Sequence, residues 1–406
     1  MFKEPLHDRL GTWALGYIPY GGADIGEVEA IADAVGSGDD GAFHDAWMAA
    51  ADRLMAEGSE ALNKGRRGSA RDLYLRASCF YATSYHPLYG EPLDPRLVAA
   101  QRKQVDAFDK GMALSNPAVV PSQIALEGTT LPAYFIPAAN HSSEVRPLLI
   151  LCNGYDATIT DIYFASAVAG SRRGYHCLLF DGPGQGSALI RQGLRLRPDW
   201  ENVVKAVVDF AIALPLVDPA RIALSGWSLG GYLAPRAASG EHRLAACIAD
   251  PGQWAMPSSF RGFVIRLGAS PEEANNLGEL DPSVMDRAWQ FINADPVLRW
   301  SVVQRGFWVH GVDNLRDYLR SAEQFTMHGR AELIRCPTLL TAAEKDPLAK
   351  DAQFLFDQLR CSKSLIRFTS AEGAGDHCEM GNRSLLNRRV LDWLDDTLTV
   401  SSANWT

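Results

Sequence analysis

From about residue 121 onward, short apolar runs typical of strands alternate with segments in which apolar residues recur at helical spacing. This alternation indicates parallel strands with helices on both faces of the sheet. A predicted hairpin, Ile124–Glu127 and Leu131–Ile136, comes first. The later predicted strands are Leu148–Cys152, His176–Phe180, Arg221–Leu224, Ala245–Ile248, Thr338–Thr341 and Ser364–Phe368. The predicted helices between and after them are Asp161–Ser171, Trp200–Leu214, Leu229–Ala238, Pro347–Leu359 and Arg383–Leu398.

Two regions depart from the alternation. Residues 1–120 carry helical periodicity, with three helices expected around 43–62, 70–81 and 95–112 and Ser69 as a candidate N-cap of the second. Residues 251–334 interrupt the alternation and are rich in aromatic residues, which predicts a helical insertion between two core strands. The sequence therefore predicts an α/β core over 121–250 and 335–406, an N-terminal helical region and a helical lid.

The hexapeptide Gly226–Gly231, Gly-Trp-Ser-Leu-Gly-Gly, lies between a predicted strand and a predicted helix. A serine hydroxyl is a weak nucleophile until it is held exposed and given a base. A tight strand-to-helix turn exposes it, and flanking glycines are needed because β-carbons would clash in that turn. The motif is short, but its position favours Ser228 as a nucleophile over an ordinary glycine-rich turn.

The base of such a serine is a histidine late in the chain, because the usual chain order is serine, acid, histidine. Of nine histidines, His377 is the one that follows the last predicted strand. It lies in the glycine-rich segment Glu372–Cys378, a loop able to hold an imidazole over a serine at a strand end. The plainer alternative is a surface-loop histidine, and the chain order favours His377 as the base.

The acid is expected in the loop after the predicted strand Thr338–Thr341. Asp346 is the preferred candidate and Glu344 is its rival. Asp346 precedes a proline, so it would also suit the N-cap of a helix. Asp376 ranks lower, because residues adjacent in sequence seldom orient each other's side chains.

Two backbone N–H groups are needed to stabilise an oxyanion. One is expected from Leu229, the residue after the nucleophile, and the other from the loop that follows Leu148–Cys152. In that loop Gly154 permits a turn and the Tyr155 N–H is the predicted donor. The side chains of Tyr155 and Asp156 are further candidates for contact with substrate, although the loop could also be a simple strand-end turn.

Composition excludes several other classes of protein. The formal net charge is −9, and this diffuse acidic excess argues against nucleic acid as a partner. Neither a secretory signal nor an apolar run long enough to span a membrane is apparent, so the expected location is the cytoplasm. The seven cysteines are widely spaced without a C-x-x-C pair, which predicts neither a disulfide framework nor a zinc site.

The segment Asp181–Gly186, Asp-Gly-Pro-Gly-Gln-Gly, could suggest a phosphate-binding loop. It lacks a following Lys-Ser or Lys-Thr pair and the acidic partner of a dinucleotide site. A tight turn beside the active site is the preferred interpretation. No metal and no organic cofactor are expected.

Taken together, these motifs resemble those of the α/β-hydrolase superfamily over about residues 124–398. Within it, the chain resembles the prolyl-oligopeptidase-like esterases with an N-terminal helical cap. Residues 65–81, which contain Ala70-Arg71-Asp72-Leu73-Tyr74-Leu75-Arg76-Ala77, are similar to the cap of a narrower group. That group contains 2,6-dihydroxypseudooxynicotine hydrolase and the fungal polyketide-shortening hydrolases of pigment synthesis.

The resemblance implies hydrolysis of a carbon–carbon bond next to a ketone in a small aromatic or polyketide-like substrate. Trp227, Trp254 and Tyr85 are candidate substrate contacts, although an aromatic residue is more often part of a core. Three alternatives remain open: a carboxylesterase or peptidase with the same triad, an acyltransferase or cyclase, and a binding protein of hydrolase descent. A homodimer is one assembly compatible with the sequence.

Overall fold

In the computed structural model, which describes residues 1–398, eight strands form one sheet in the order β1-β2-β4-β3-β5-β6-β7-β8. The strands β1 and β2 run antiparallel to their neighbours, whereas β3 to β8 pair in parallel. The predicted α/β fold with a mostly parallel sheet is therefore confirmed. The strands are β1 (Pro121–Leu126), β2 (Thr129–Ile136), β3 (Arg146–Cys152), β4 (His176–Phe180), β5 (Val217–Trp227), β6 (Ala246–Asp250), β7 (Thr338–Ala343) and β8 (Lys363–Phe368).

Burial along the strands follows their positions in the sheet. Every residue of the central strands β4, β6 and β7 is buried, as expected for parallel strands covered on both faces. The edge strand β1 instead buries only Ile124 and Leu126, two residues apart. Continuous apolar runs in the sequence therefore mark the central strands of the sheet. The site described below lies at the ends of these strands.

Helices cover the rest of the chain. Two π-helical turns, Tyr163–Ala167 and Trp300–Phe307, and several 3-10 turns join them. In chain order the α-helices of residues 1–398 are α1 (Pro5–Gly11), α2 (Ile25–Val35), α3 (Asp40–Asn63), α4 (Arg67–Ser84), α5 (Pro95–Ala113), α6 (Ile159–Ile162), α7 (Val168–Arg172), α8 (Gly186–Gln192), α9 (Trp200–Ile212), α10 (Gly230–Ala238), α11 (Ser258–Arg266), α12 (Pro282–Ala294), α13 (Pro296–Arg299), α14 (Trp308–His310), α15 (Leu315–Glu323), α16 (Ala352–Gln358) and α17 (Arg383–Leu398). The 3-10 turns are Thr12–Tyr20, His86–Leu88, Glu273–Asn275, Leu277–Glu279, Ala331–Leu333, Pro347–Asp351, Ser370–Glu372 and His377–Asn382.

The three helices expected in the N-terminal region are present as α3, α4 and α5. Local signals explain their starts. The Asp39 side chain accepts a hydrogen bond from the Ala42 N–H at 3.0 Å, and Asp94 caps α5 just before Pro95. The predicted cap of α4 was wrong: α4 begins at Arg67, so Ser69 lies inside its first turn.

The chain divides into two compact units. Unit 1 consists of Met1–Val120, Pro183–Leu196 and Pro257–Gln324. Unit 2 holds the whole sheet and consists of Pro121–Gly182, Arg197–Met256 and the chain from Phe325 onward. The three-part division drawn from the sequence, with boundaries at 120, 250 and 334, stays a prediction.

Within unit 1, the N-terminal region and the insertion share an aromatic core. The Tyr89 ring stacks on Trp300 at 5.8 Å between centroids and meets the Trp308 ring edge-on at 5.1 Å. The Trp300 indole Nε1–H donates to the carbonyl oxygen of His86 at 2.7 Å. The Trp300 side chain is 1% exposed. Its bond to His86 joins two segments that lie about 200 residues apart in sequence.

The insertion leaves unit 2 and returns to it through a short antiparallel contact. Ala255 and Thr326 form an isolated β-bridge. On either side of it, the Met256 N–H donates to Phe325 O at 3.0 Å and the Met327 N–H donates to Trp254 O at 2.9 Å. The chain on the two sides of residues 257–324 is therefore clamped together inside unit 2.

Among the helices of residues 1–398, none combines the length and the apolar character needed to cross a membrane.

Candidate active site

Ser228 lies on a tight turn between β5 and α10. Its φ is +59°, in the left-handed region that costs a non-glycine residue about 1–3 kcal/mol. Two hydrogen bonds hold this backbone in place. The Ser228 N–H donates to Asp250 O at 2.7 Å, and the Gln253 side-chain amide donates to Ser228 O at 2.5 Å. The end of β6 and the residues after it therefore support the strained turn.

Glycines surround the serine because side chains would not fit. A β-carbon on Gly226 would lie 1.9 Å from the carbonyl oxygen of Gly230. A β-carbon on Gly154 would lie 2.7 Å from the Ser228 Cβ and 3.1 Å from its Oγ. The loop after β3 thus approaches the serine closely at a residue without a side chain, and Ser228 is half-buried there.

The structure brings Ser228, His377 and Asp346 together in a continuous chain of hydrogen bonds. The Ser228 Oγ lies 2.9 Å from His377 Nε2, and His377 Nδ1 lies 2.7 Å from Asp346 Oδ2. A carboxylate can only accept, so the imidazole donates from Nδ1 and presents the lone pair of Nε2 to the serine hydroxyl. This arrangement can take a proton from Ser228.

Asp346 and its rival Glu344 have different surroundings. The Asp346 side chain is completely buried, and its other oxygen, Oδ1, accepts from the Leu348 N–H at 2.9 Å. It thus faces the histidine and also caps the following turn. Glu344 is exposed and accepts from the Ser370 N–H at 2.7 Å, a bond that lowers the pKa of this carboxyl. Asp376 likewise faces away, since it accepts from the Gly381 N–H.

The two residues predicted to donate to an oxyanion both belong to unit 2. Leu229 directly follows the serine and precedes the first residue of α10. Tyr155 is 5% exposed and follows Gly154 in the loop after β3. Asp181 anchors that loop, because its Oδ1 accepts from the Ile159 N–H at 3.0 Å and from the Asn153 amide at 3.3 Å. The roles of Leu229 and Tyr155 as donors stay predictions.

Comparison with known proteins identifies the fold and the family. The family profile described as the alpha/beta hydrolase family matches residues 149–384. Hydrolase acrC of Aspergillus aculeatus is 32% identical over 419 aligned positions, covering 94% of each chain. The 20-hydroxy-prefusarin hydrolase of Gibberella moniliformis is 33% identical and covers 95% of each chain.

The chain belongs to the alpha/beta hydrolase family. The solved structure of 2,6-dihydroxy-pseudo-oxynicotine hydrolase shares its fold, with a TM-score of 0.74, 22% identity and 95% of each chain covered. The resemblance predicted from the motifs is confirmed, and this alpha/beta hydrolase is an enzyme.

The substrate contacts predicted for this hydrolase occupy varied surroundings. Trp227 is 2% exposed, and the Arg383 guanidinium lies 5.5 Å from its ring centroid. Trp254 is half-buried and meets the Phe354 ring edge-on at 4.7 Å. Asp156 is half-buried in the loop after β3. The role of each in binding substrate stays a prediction.

Tyr85, the remaining predicted contact, belongs to unit 1. Its ring is fully buried and its hydroxyl donates to Gln104 Oε1 at 2.6 Å. Burial and this hydrogen bond indicate that Tyr85 contributes to packing within unit 1. A contact between Tyr85 and substrate stays a prediction.

Several residues that support the site of the hydrolase were not identified from the sequence. They are Asp250 and Gln253, which bond to the Ser228 backbone, and Arg383, which bonds to Asp250. Of these residues, only Asp250 could have been noticed in the sequence, because it is an acidic residue at the end of the apolar strand β6. Among residues 1–398, no group of three His, Cys, Asp or Glu side chains is arranged to hold a metal ion.

Proposed function

We propose that this alpha/beta hydrolase is a serine hydrolase in which Ser228 attacks a substrate carbonyl. The observation that carries the proposal is the chain of hydrogen bonds from Ser228 through His377 to Asp346, at 2.9 and 2.7 Å. The strained, glycine-flanked position of the serine supports it, because strain of this kind is retained where surrounding structure over-determines it.

In the proposed reaction, His377 takes the Ser228 proton as the Oγ bonds to the carbonyl carbon. Asp346 orients the imidazole and stabilises the imidazolium that forms. The N–H groups of Leu229 and Tyr155 stabilise the oxyanion. Collapse of the tetrahedral species expels the leaving group, which takes the proton from His377. Water, activated by the same histidine, then releases the acyl group from Ser228.

We further propose a carbon–carbon bond next to a carbonyl as the bond that is cleaved. The motif resemblance to polyketide-shortening hydrolases supports this, together with the 33% identity to a hydrolase named for 20-hydroxy-prefusarin. For such a bond the leaving group is a carbanion, so the substrate must stabilise it. An acylated phenol ring or a β-diketone would do so, whereas an unactivated ketone would not.

The first test compares the wild type with Ser228→Ala and with Ser225→Ala, which removes a hydroxyl from β5 just before the Ser228 turn. Aryl esters, acylated polyphenol ketones and a peptide amide are supplied, and products are followed by mass spectrometry. We expect ketone cleavage by the wild type and by Ser225→Ala, and a loss of about 10⁴- to 10⁶-fold in Ser228→Ala.

Other outcomes assign the enzyme differently. Cleavage of esters or amides alone, lost in Ser228→Ala, would keep the nucleophile and replace the carbon–carbon proposal by an esterase or peptidase. Transfer of the acyl group to an alcohol or amine in place of water would indicate an acyltransferase. Turnover near the wild-type rate in Ser228→Ala, with any substrate, would refute the nucleophile.

A further inference from the structure

Glu379, two residues after His377, is a buried carboxyl without a donor. Its side chain is 0% exposed, and within residues 1–398 no N–H or O–H group donates to either oxygen. The backbone directs it inward through a strained turn, since Cys378 and Glu379 have φ values of +54° and +50°. Two successive left-handed residues without glycine are costly and need support from their surroundings.

Asp250, at the end of β6, lies beside the turn that carries Glu379: Arg383 Nη1 donates both to Asp250 Oδ2 at 3.0 Å and to Cys378 O at 2.7 Å, and Cys378 Sγ lies 3.8 Å from Asp250 O. The donors around Asp250 are already assigned: Thr341 Oγ1 donates to Oδ1 at 2.9 Å and Arg383 Nη1 donates to Oδ2 at 3.0 Å. The other Arg383 bonds reach Ala165 O and the Ser166 hydroxyl through Nη2, and Cys378 O through Nη1.

The charges at this place do not balance if every carboxyl is ionised. Asp250, Asp346 and Glu379 would then supply three negative charges against the single positive charge of Arg383. Burial and the adjacent Asp250 both raise the pKa of Glu379 well above its ordinary range. Two neighbouring buried carboxyls repel each other when both are ionised, and the repulsion is relieved when one of them carries a proton that it can donate to the other.

We propose that Glu379 is held as a neutral carboxylic acid whose O–H donates to Asp250, and that this bond positions the turn carrying His377. As a positioning residue, Glu379 acts through its neighbours. The Asp250 side chain binds Glu379, Thr341 and Arg383, while its carbonyl oxygen accepts the Ser228 N–H. The shared proton therefore links the histidine turn to the residue that supports the serine. The mechanistic part of this inference rests on the proposed function.

Thermal unfolding as a function of pH tests the protonation state without any assay of activity. Between the ordinary glutamate pKa and the raised pKa of folded Glu379, the folded chain binds one more proton than the unfolded chain. The free energy of unfolding therefore falls as pH rises through this window. Glu379→Gln keeps a donor toward Asp250 but cannot ionise. We expect its melting temperature, relative to the wild type, to rise by about 2–5 °C between pH 5 and pH 8.

The matched control is Glu372→Gln in the same loop. Glu372 is half-buried, and its bonds to Arg389 and Thr369 lower its pKa to about 2. Its carboxylate is ionised across the same pH window in both folded and unfolded chains, so this variant should show a constant difference from the wild type above pH 5. A difference for Glu379→Gln that is equally flat, or that falls with pH, would overturn the proposal.

Kinetics then separate positioning from simple packing. We expect Glu379→Gln to keep kcat within about twofold of the wild type at pH 7 and Glu379→Ala to lose about tenfold, because only the amide replaces the bond to Asp250. The wild type should lose activity at alkaline pH as Glu379 ionises, and Glu379→Gln should lack that limb. Equal losses in both variants would contradict positioning by this bond.

If neither variant folds, infrared spectra of the wild type still decide the protonation state. A buried carboxylic acid shows a protonated carbonyl stretch at pH 7 that disappears at alkaline pH, and its absence would refute the neutral acid. The unfolding and infrared results do not depend on catalysis. A failure of Ser228→Ala to abolish turnover would therefore overturn the proposed function and leave this measurement standing.

Discussion

At the scale of single residues, the site depends on which carboxylate faces His377. Asp346 lies 2.7 Å from the ring nitrogen, whereas Glu344, two residues earlier, accepts from the Ser370 N–H. Only the first can fix the tautomer that presents Nε2 to the serine. The same side chain caps a helical turn. Asp346 therefore has both positions that the sequence suggested for it, next to the histidine and at the N-cap of a helix.

Replacement of the acid tests this assignment. We expect Asp346→Asn to lower kcat by about 10³- to 10⁴-fold, because an amide can donate to Nδ1 and favour the wrong tautomer. Glu344→Gln should stay within about threefold of the wild type. Turnover of purified, folded variants gives the comparison, and a larger loss in Glu344→Gln would move the acid to that residue.

Residue-level prediction from the sequence was most specific where chain order constrains chemistry, and the catalytic roles of the residues it selected stay predictions. Ser228, Asp346 and His377 were selected because a strand end, a loop and a late histidine follow one another in a known order, and the structure places these three side chains within hydrogen-bonding distance. Glu379 gave no such signal. Its burial depends on positive φ values at two ordinary residues, and a local pattern does not predict them.

At the scale of elements, the turn between β5 and α10 is tightly constrained by close backbone contacts. The Gly226 Cα approaches the first turn of α10 so closely that a methyl group would sit 1.9 Å from Gly230 O. Backbone cannot yield as a flexible side chain does, so the strand and the helix would have to separate.

We therefore expect Gly226→Ala to lower the free energy of unfolding by about 3 kcal/mol or more. Gly68→Ala is the control, since Gly68 lies in α4 and a β-carbon there meets nothing within 4 Å. That change should be neutral or stabilise by up to about 1 kcal/mol through helix propensity. Chemical denaturation of both variants measures the difference, and equal values would show that the turn can relax.

Element boundaries followed the sequence where apolar runs were long. The predicted helix Arg383–Leu398 coincides with α17, and β4 matches its predicted range. Other segments differ from their predicted secondary structure where the local backbone conformation determines the element. The turn at Asp181–Gly186 leads into a short helix, α8, that the sequence did not indicate. The expected helix Asp161–Ser171 contains a π-helical turn at Tyr163–Ala167, which hydrophobic spacing does not reveal.

At the scale of the whole molecule, unit 1 is assembled from segments far apart in the chain. Its aromatic core unites Tyr89 of the N-terminal region with Trp300 and Trp308 of the insertion. Sequence patterns identified both regions as helical, but no pattern within either one specifies that they pack together. Contacts between residues so far apart in sequence depend on how the whole chain folds, and local sequence patterns do not predict them.

Removal of the central ring tests how much this core contributes. We expect Trp300→Ala to lower the free energy of unfolding by about 3–5 kcal/mol, through lost packing on Tyr89 and the lost bond to His86 O. Trp289→Ala is the control, because Trp289 is 38% exposed and should cost about 1 kcal/mol. Calorimetric unfolding compares them, and similar small losses would show that unit 1 does not depend on this ring.

The short antiparallel contact at Ala255 and Thr326 has an evolutionary consequence. Because residues 254–256 and 325–327 are paired inside unit 2, the 68 residues between them leave and re-enter at one fixed gate. Insertions, deletions or recombination within 257–324 would then change this part of unit 1 without altering the register of β6 and β7. Such a joint would let descendants of one hydrolase vary the length and sequence of this insertion while they inherit the sheet that carries Ser228.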